Sequence, residues 1–239
     1  MKKIYQIEVA GTCNIKCSYC PHPTSIRKHE LMSRETFIRS MELVGKLGQS
    51  HISLHNFGDP LLHPNIVEFV RISREYVDEV SFSTNGILLT RKMAKDLKDA
   101  GLTSMHISTH SPKDAQKAID NCEGLDLLGD VRSNFYHDWA GTSKKHKKYY
   151  SDYQEWNAKK KTKIGCPFIV KEIGVILSDG RIASCCIDME GLGVIGSVYD
   201  DNALDLIPSY FSLCENCHMM SEYIPEFAMH KEGSNVEKI

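Results

Sequence analysis

Apolar residues in the first half of the chain fall into short runs, separated by longer segments with helical spacing. The runs Ile4 to Ala10, His51 to Phe57, Val80 to Thr84, Ser104 to Thr109 and Val131 to His137 each fit a strand. Between them, Arg34 to Leu47 places Phe37, Met41, Val44 and Leu47 near one helical face, and Arg91 to Ala100 is followed by a stop-like Gly101. Strand and helix alternate, which predicts a parallel sheet covered by helices. Eight βα units would need ~250 residues, and the repetition stops well short of that. The pattern therefore predicts an α/β chain built on a partial (β/α) TIM-like barrel over residues 1–141.

Beyond residue 141 the pattern changes. Residues 142–165 are polar and lysine-rich, with Tyr149, Tyr150, Tyr153 and Trp156 among the lysines. They read as a solvated basic connector, with recognition of a phosphate, a nucleotide, nucleic acid or an acidic peptide as the alternative. Glu172 to Leu177 and Arg181 to Cys185 then flank Ser178-Asp179-Gly180 as a β-hairpin, and a short helical stretch lies near Ala203 to Ile207. A small cysteine-bearing module over residues 166–239 is expected, with a loosely held polar tail after Pro225.

Composition narrows the function classes. Of 239 residues, 41% are apolar and 25% charged, and the net charge of −2 gives no overall steer toward nucleic acid or membrane. The N-terminus lacks the apolar core of a signal peptide and no segment approaches the ~18 apolar residues of a membrane span, so a cytoplasmic protein is expected. Nine cysteines are more than folding requires. In a reducing compartment, close groups of them favour metal over disulfide.

Cys13, Cys17 and Cys20 follow the first strand at C-x₃-C-x₂-C spacing, in a loop at the C-terminal mouth of the sheet, where such folds place their chemistry. Three thiolates can hold three irons of a [4Fe–4S] cube and leave the fourth open to a ligand. A zinc site completed by His22 or His29 is the competing reading. Cys13-Asn14-Ile15-Lys16-Cys17-Ser18-Tyr19-Cys20, with Tyr19 before the third cysteine, resembles the signature of the radical S-adenosylmethionine (radical SAM) superfamily. The resemblance implies that the open iron is chelated by SAM, and that one electron from the reduced cluster yields a 5′-deoxyadenosyl radical, which abstracts a substrate hydrogen. A reducing partner such as flavodoxin or ferredoxin would supply the electron.

Three further segments match that family in chain order. Phe57, Gly58 and Asp59 resemble its Gly-Gly-Glu-type motif at the SAM amino group, with Asp59 one methylene shorter than the common glutamate, which points to the backbone carbonyls for the contact. Ser83, Thr84 and Asn85 resemble its segment at the SAM ribose, and Ser108 stands where a serine meets the SAM carboxylate. By default such runs are turns. Their joint order is what the resemblance adds.

Cys166, Cys185, Cys186 and the pair Cys214 and Cys217 offer a second group of thiols. The arrangement resembles the twitch form of the SPASM module, which implies an auxiliary [4Fe–4S] cluster on Cys166, Cys185, Cys214 and Cys217, with Cys186 turned away or lining the pocket. Four thiolates leave no iron open, so this cluster would transfer electrons or serve structure, and a structural zinc site on the same cysteines is the alternative. Cys122 belongs to neither group and reads as a packing residue.

Over almost its whole length the chain resembles the 2-deoxy-scyllo-inosamine dehydrogenase branch, which oxidises a secondary alcohol to a ketone. That implies an alcohol oxidation with the second cluster as electron acceptor. Trp139 stands where that branch has an arginine, and an aromatic face cannot replace a guanidinium, so a different substrate is expected: a polyol, a sugar or a nucleotide-like compound. His110, His137 and Asp138 are the candidate acid/base groups at strand ends. His51, His55, His63 and His218 read as core, capping or cluster-neighbour residues. The alternatives are a peptide-modifying radical SAM enzyme of ribosomal-peptide maturation and, more remotely, a zinc-binding interaction protein.

Overall fold

The computed structural model describes residues 1–17, 20–109, 112–133 and 166–217. Tyr19, His110, His137, Asp138, Trp139, the basic connector, His218 and the tail lie outside the described residues. Among those described, no helix is long and apolar enough to cross a membrane.

The first half alternates strand and helix: β1 (Lys3–Ile7), α1 (Arg34–Lys46), β2 (His51–Ser53), α2 (Ile66–Ser73), β3 (Glu79–Thr84), α3 (Arg91–Asp99), β4 (Ser104–Thr109), α4 (Pro112–Cys122) and β5 (Leu128–Ser133). After the connector come the short α5 (Pro167–Val170), β6 (Ile173–Ile176), β7 (Arg181–Ala183) and β8 (Val194–Ser197). One eight-stranded sheet runs in the order β5-β4-β3-β2-β1-β6-β7-β8. From β5 to β6 all neighbours are parallel, and the last two pairings are antiparallel. From β1 to β5, where neighbouring strands are joined through helices, the parallel run is the partial TIM-like barrel expected from the sequence.

Local chemistry explains the helix ends. The Ser33 hydroxyl caps α1 by accepting from the Thr36 amide at 3.0 Å, and Thr90 caps α3 by accepting from Met93 at 3.1 Å. Phe37, Met41 and Val44 of α1 are fully buried, and the Phe37 ring stacks on Phe69 of α2 with centroids 3.9 Å apart. Alternate residues of the strands meet these helices: Ile52, Val80, Phe82, Met105 and Ile107 are all sealed from water in the main core. Cys122, at the end of α4, joins the same core.

The strands differ from the sequence reading in extent. β1 and β2 stop earlier than expected, because the chain leaves the ladder to form the loops that carry Cys13 and Gly58. β5 begins at Leu128, three residues before the expected start, in register with Met105. The hairpin turns at Gly180, whose φ of 87° only glycine adopts without strain, and the Asp179 carboxylate accepts from the Arg181 amide at 3.1 Å. Its first strand, β6, pairs with β1, so the sheet continues from the barrel into the cysteine-bearing segment. The third strand β8 was not anticipated, and the stretch near Ala203 is a single 3₁₀ turn, Ala203–Asp205.

Candidate active site

Loops at the C-terminal ends of β1, β2 and β3 converge. Cys13, Cys17 and Cys20 are half-buried in the first of them. Burial pushes the Cys20 thiol up to about 11, with Cys17 and Cys13 adding to the rise, and Cys13 is raised by burial, Asp59 and Cys17. Thiols that raise one another's pKa form a donor set that a cationic iron cluster would discharge, and they fit such a cluster. Among the described residues, no group of His, Cys, Asp and Glu is arranged around a single metal ion.

The second loop is pressed against the first. The Asp59 amide donates to the Thr12 carbonyl at 2.8 Å, and a Cβ added to Gly58 would collide with the Ala10 and Thr12 carbonyls. Glycine at position 58 is required by this approach. The Asp59 carboxylate is turned inward and is 3% exposed. It accepts from the Thr84 hydroxyl at 2.8 Å, from the Asn85 amide at 2.8 Å and from the Leu61 amide at 3.0 Å. Burial raises its pKa and these donors oppose the rise. The Asn85 side chain closes the ring by donating to Asn14 Oδ1 at 2.7 Å. Phe57, Gly58, Asp59, Thr84 and Asn85 are thus brought together beside the cysteine loop, with the Asp59 carboxylate already engaged. Ser83 and Ser108 lie on neighbouring strands β3 and β4, on the face away from the helices.

Sequence reasoning missed what fixes this loop from the other side. Glu8, fully buried just after β1, forms a two-pronged pair with Arg27, Oε1 to Nη1 at 2.8 Å and Oε2 to Nη2 at 2.9 Å. Arg27 Nε donates to the Met189 carbonyl at 2.7 Å. The Glu190 carboxylate accepts from the Ser25 hydroxyl and the Arg27 amide, each at 2.9 Å. The cysteine loop is therefore held to the segment that follows Cys185 and Cys186. The signal in the sequence was a charged Glu8 at the apolar end of β1.

The second group of thiols is also assembled. Cys166, Cys186, Cys214 and Cys217 pack together with Phe168 and Val175, and Cys185 packs alongside with Ile187, Phe211 and Leu213. Burial pushes Cys186 up to about 12, with Cys166 and Cys217 contributing. Cys186 is not turned away from the group. His63, read with His51 and His55 as a core, capping or cluster-neighbour residue, is buried and hydrogen-bonds the Met32 carbonyl at 2.9 Å. His51 and His55 instead lie on the polar inner face of the sheet, joined to Ser81 and Ser53.

A parallel βα sheet with a three-cysteine loop at its C-terminal mouth defines a class of iron–sulfur enzyme. The family model of the radical SAM superfamily matches residues 7–137, and the chain belongs to that superfamily. Among curated proteins it is 36% identical over 111 residues to a GTP 3′,8-cyclase of Desulforamulus reducens, covering 44% of this chain and 34% of the cyclase. It is 30% identical over 137 residues to the Aquifex aeolicus cyclase, covering 54% and 42%. The chain thus spans well under half the length of these relatives. Among solved structures, BtrN in complex with AdoMet and 2-DOIA superposes with a TM-score of 0.70 at 20% identity, over 96% of this chain and 88% of that one. A histidine-tagged anSMEcpe with bound AdoMet gives 0.55 at 14% identity, over 93% and 82%.

Proposed function

We propose that the protein oxidises an alcohol of a small hydroxylated substrate to a ketone, using SAM at the first cluster and a twitch-type auxiliary [4Fe–4S] cluster as electron acceptor. The observation that carries this reading is the pairing of β6 with β1: the strands leading to the two cysteine groups are neighbours in one sheet. The likeness of fold to BtrN over nearly the whole chain agrees with it.

Cys13, Cys17 and Cys20 would hold the SAM-binding cluster, and Cys166, Cys185, Cys214 and Cys217 the auxiliary one, with Cys186 lining its pocket. When bound, the first cluster and SAM would supply the hydrogen-abstracting chemistry that acts at the carbinol carbon. The chain's part is to place and shield. Asp59 has spent its carboxylate on Thr84, Asn85 and Leu61, so the backbone from Phe57 to Asp59 is what it presents to the SAM amino group. The substrate hydroxyl must then lose its proton to a base, for which His110, His137 and Asp138 are the candidates, and one electron leaves to complete the ketone. Trp139 would stack on the substrate.

Anaerobic, reconstituted protein tests this. About 8 irons per chain are expected with both clusters bound, and Cys214→Ala should retain about 4. That variant should still release 5′-deoxyadenosine from SAM while losing substrate oxidation; normal oxidation by it contradicts the acceptor role. A second reading, cyclisation of GTP, is favoured by the 36% identity to the cyclases over the shared barrel segment. Turnover of GTP would establish it.

A further inference from the structure

Between Cys20 and α1 the chain crosses to the second cysteine-bearing segment, and one turn of it has no apolar anchor of its own. Ile26, in the middle of that turn, is 93% exposed. A carboxylate from far along the chain holds it instead. Glu190 accepts from the Ser25 hydroxyl at 2.9 Å, the Ile26 amide at 3.1 Å and the Arg27 amide at 2.9 Å, so three consecutive residues close on one anion. Unlike the sealed Glu8 and Arg27 pair, Glu190 is only half-buried, so replacing it strands no buried charge.

Glu190 is itself firmly placed. The Asp188 carboxylate, sealed from water, accepts from the Leu192 amide at 3.0 Å and the Gly193 amide at 2.7 Å, which closes a turn around Gly191 at φ 71°. The Ser184 amide, just before Cys185 and Cys186, donates to the Gly193 carbonyl at 2.9 Å, so that turn and those cysteines share one support. On the other side, the links back to the first site are short. The His22 amide donates to the Cys20 sulfur, and the His22 ring binds the Gly11 carbonyl at 2.7 Å. His29, two residues past Arg27, stacks on His22 with ring centroids 4.2 Å apart. The Thr24 hydroxyl donates to the Pro21 carbonyl at 2.9 Å, which ties the turn to the residue after Cys20.

We infer that Glu190 is a positioning residue for the SAM-binding cluster: by fixing Ser25, Ile26 and Arg27 it sets the course of the chain after Cys20, and with it the hydrogen bond from the His22 amide to the Cys20 sulfur. Hydrogen bonds to cluster sulfurs favour the reduced, more negative cluster and so raise its potential. The third cysteine of the first loop is thereby aimed by a residue of the second cysteine segment, and a small misplacement there costs SAM affinity. The inference needs only the first cluster and is independent of the alcohol oxidation proposed above.

Equilibrium dialysis of SAM and an EPR-monitored redox titration of the reconstituted holoprotein test it. In Glu190→Ala, SAM should bind about tenfold more weakly, and the midpoint of the SAM-responsive EPR signal should fall. Glu190→Gln, which keeps one acceptor oxygen at the same reach, should recover part of both losses. Ser25→Ala should lose less than Glu190→Ala, and adding it to that variant should cost little more, because both act through one turn. If Glu190→Ala retains too little iron to measure, Glu190→Gln and Ser25→Ala should show the same changes in smaller measure. Asp200→Ala removes a cap of the same kind, the acceptor for the Ser197 amide in the turn after β8, and should leave both readings as in the wild type. Simple removal of a negative charge would instead raise the midpoint, equally in Glu190→Ala and Glu190→Gln. That rise, an unchanged SAM affinity in Glu190→Ala, fully additive losses with Ser25→Ala, or an equal loss in Asp200→Ala overturns the inference.

Discussion

Arg27 grips Glu8 with two contacts of 2.8 and 2.9 Å, and the side chains are 3% and 0% exposed. Removing one partner strands a buried charge, which costs about 3–5 kcal/mol, far more than a surface pair is worth. Arg27→Met should lower unfolding free energy by that order and reduce the iron retained on reconstitution. Because Arg27 also binds the Met189 carbonyl, the loss should reach both cysteine groups. Iron content and urea unfolding read the two effects.

Gly58 makes a sharper test of the loop contact. Alanine there must push the Ala10 and Thr12 carbonyls aside, since a backbone cannot rotate away as a flexible side chain can. Gly58→Ala should destabilise by about 1–3 kcal/mol and weaken SAM binding, measured by equilibrium dialysis of the reconstituted protein. Gly48, with no atom near its added Cβ but a φ of 64°, should lose a smaller amount through strain and keep SAM affinity.

These residues show what the sequence made legible. Cys13, Cys17 and Cys20 are close in the chain, so their spacing and their place after the first strand marked a candidate site, and the 3.6-residue spacing of Phe37, Met41 and Val44 exposed α1. The Glu8 and Arg27 pair was not legible, because its partners lie 19 residues apart and Glu190 reaches Arg27 across 163. Nor could β6 be assigned to β1, since a short apolar strand carries no label for its neighbour. The alternation of His51, Ser53 and His55 with Ile52 and Leu54 was visible; that the polar side faces an interior rather than water is decided by tertiary packing. Tyr19, His110, His137, Asp138 and Trp139 lie outside the described residues.

The same inner face governs stability against acid. Burial, helped by His106 and His51, drives His55 down to about 3 from its ordinary 6.5. Between these values the unfolded chain binds more protons than the folded one, so stability rises with pH across that window and falls on acidification through it. His29, His51 and His63 are lowered too and act in the same direction. His55→Gln should make the slope of urea midpoint against pH shallower between 6.5 and 3 without abolishing it. An unchanged slope would show that His55 is protonated in the native protein.

Membership of the superfamily and the three-thiol loop make one claim central: Cys13, Cys17 and Cys20 support reductive cleavage of SAM. The most direct measurement is 5′-deoxyadenosine formed when anaerobic, reconstituted protein is reduced with dithionite in the presence of SAM. The wild-type protein should release it, and Cys17→Ala should release none above the protein-free background. Wild-type protein that carries its iron and yields no 5′-deoxyadenosine, or a Cys17→Ala variant that yields as much, would contradict the account.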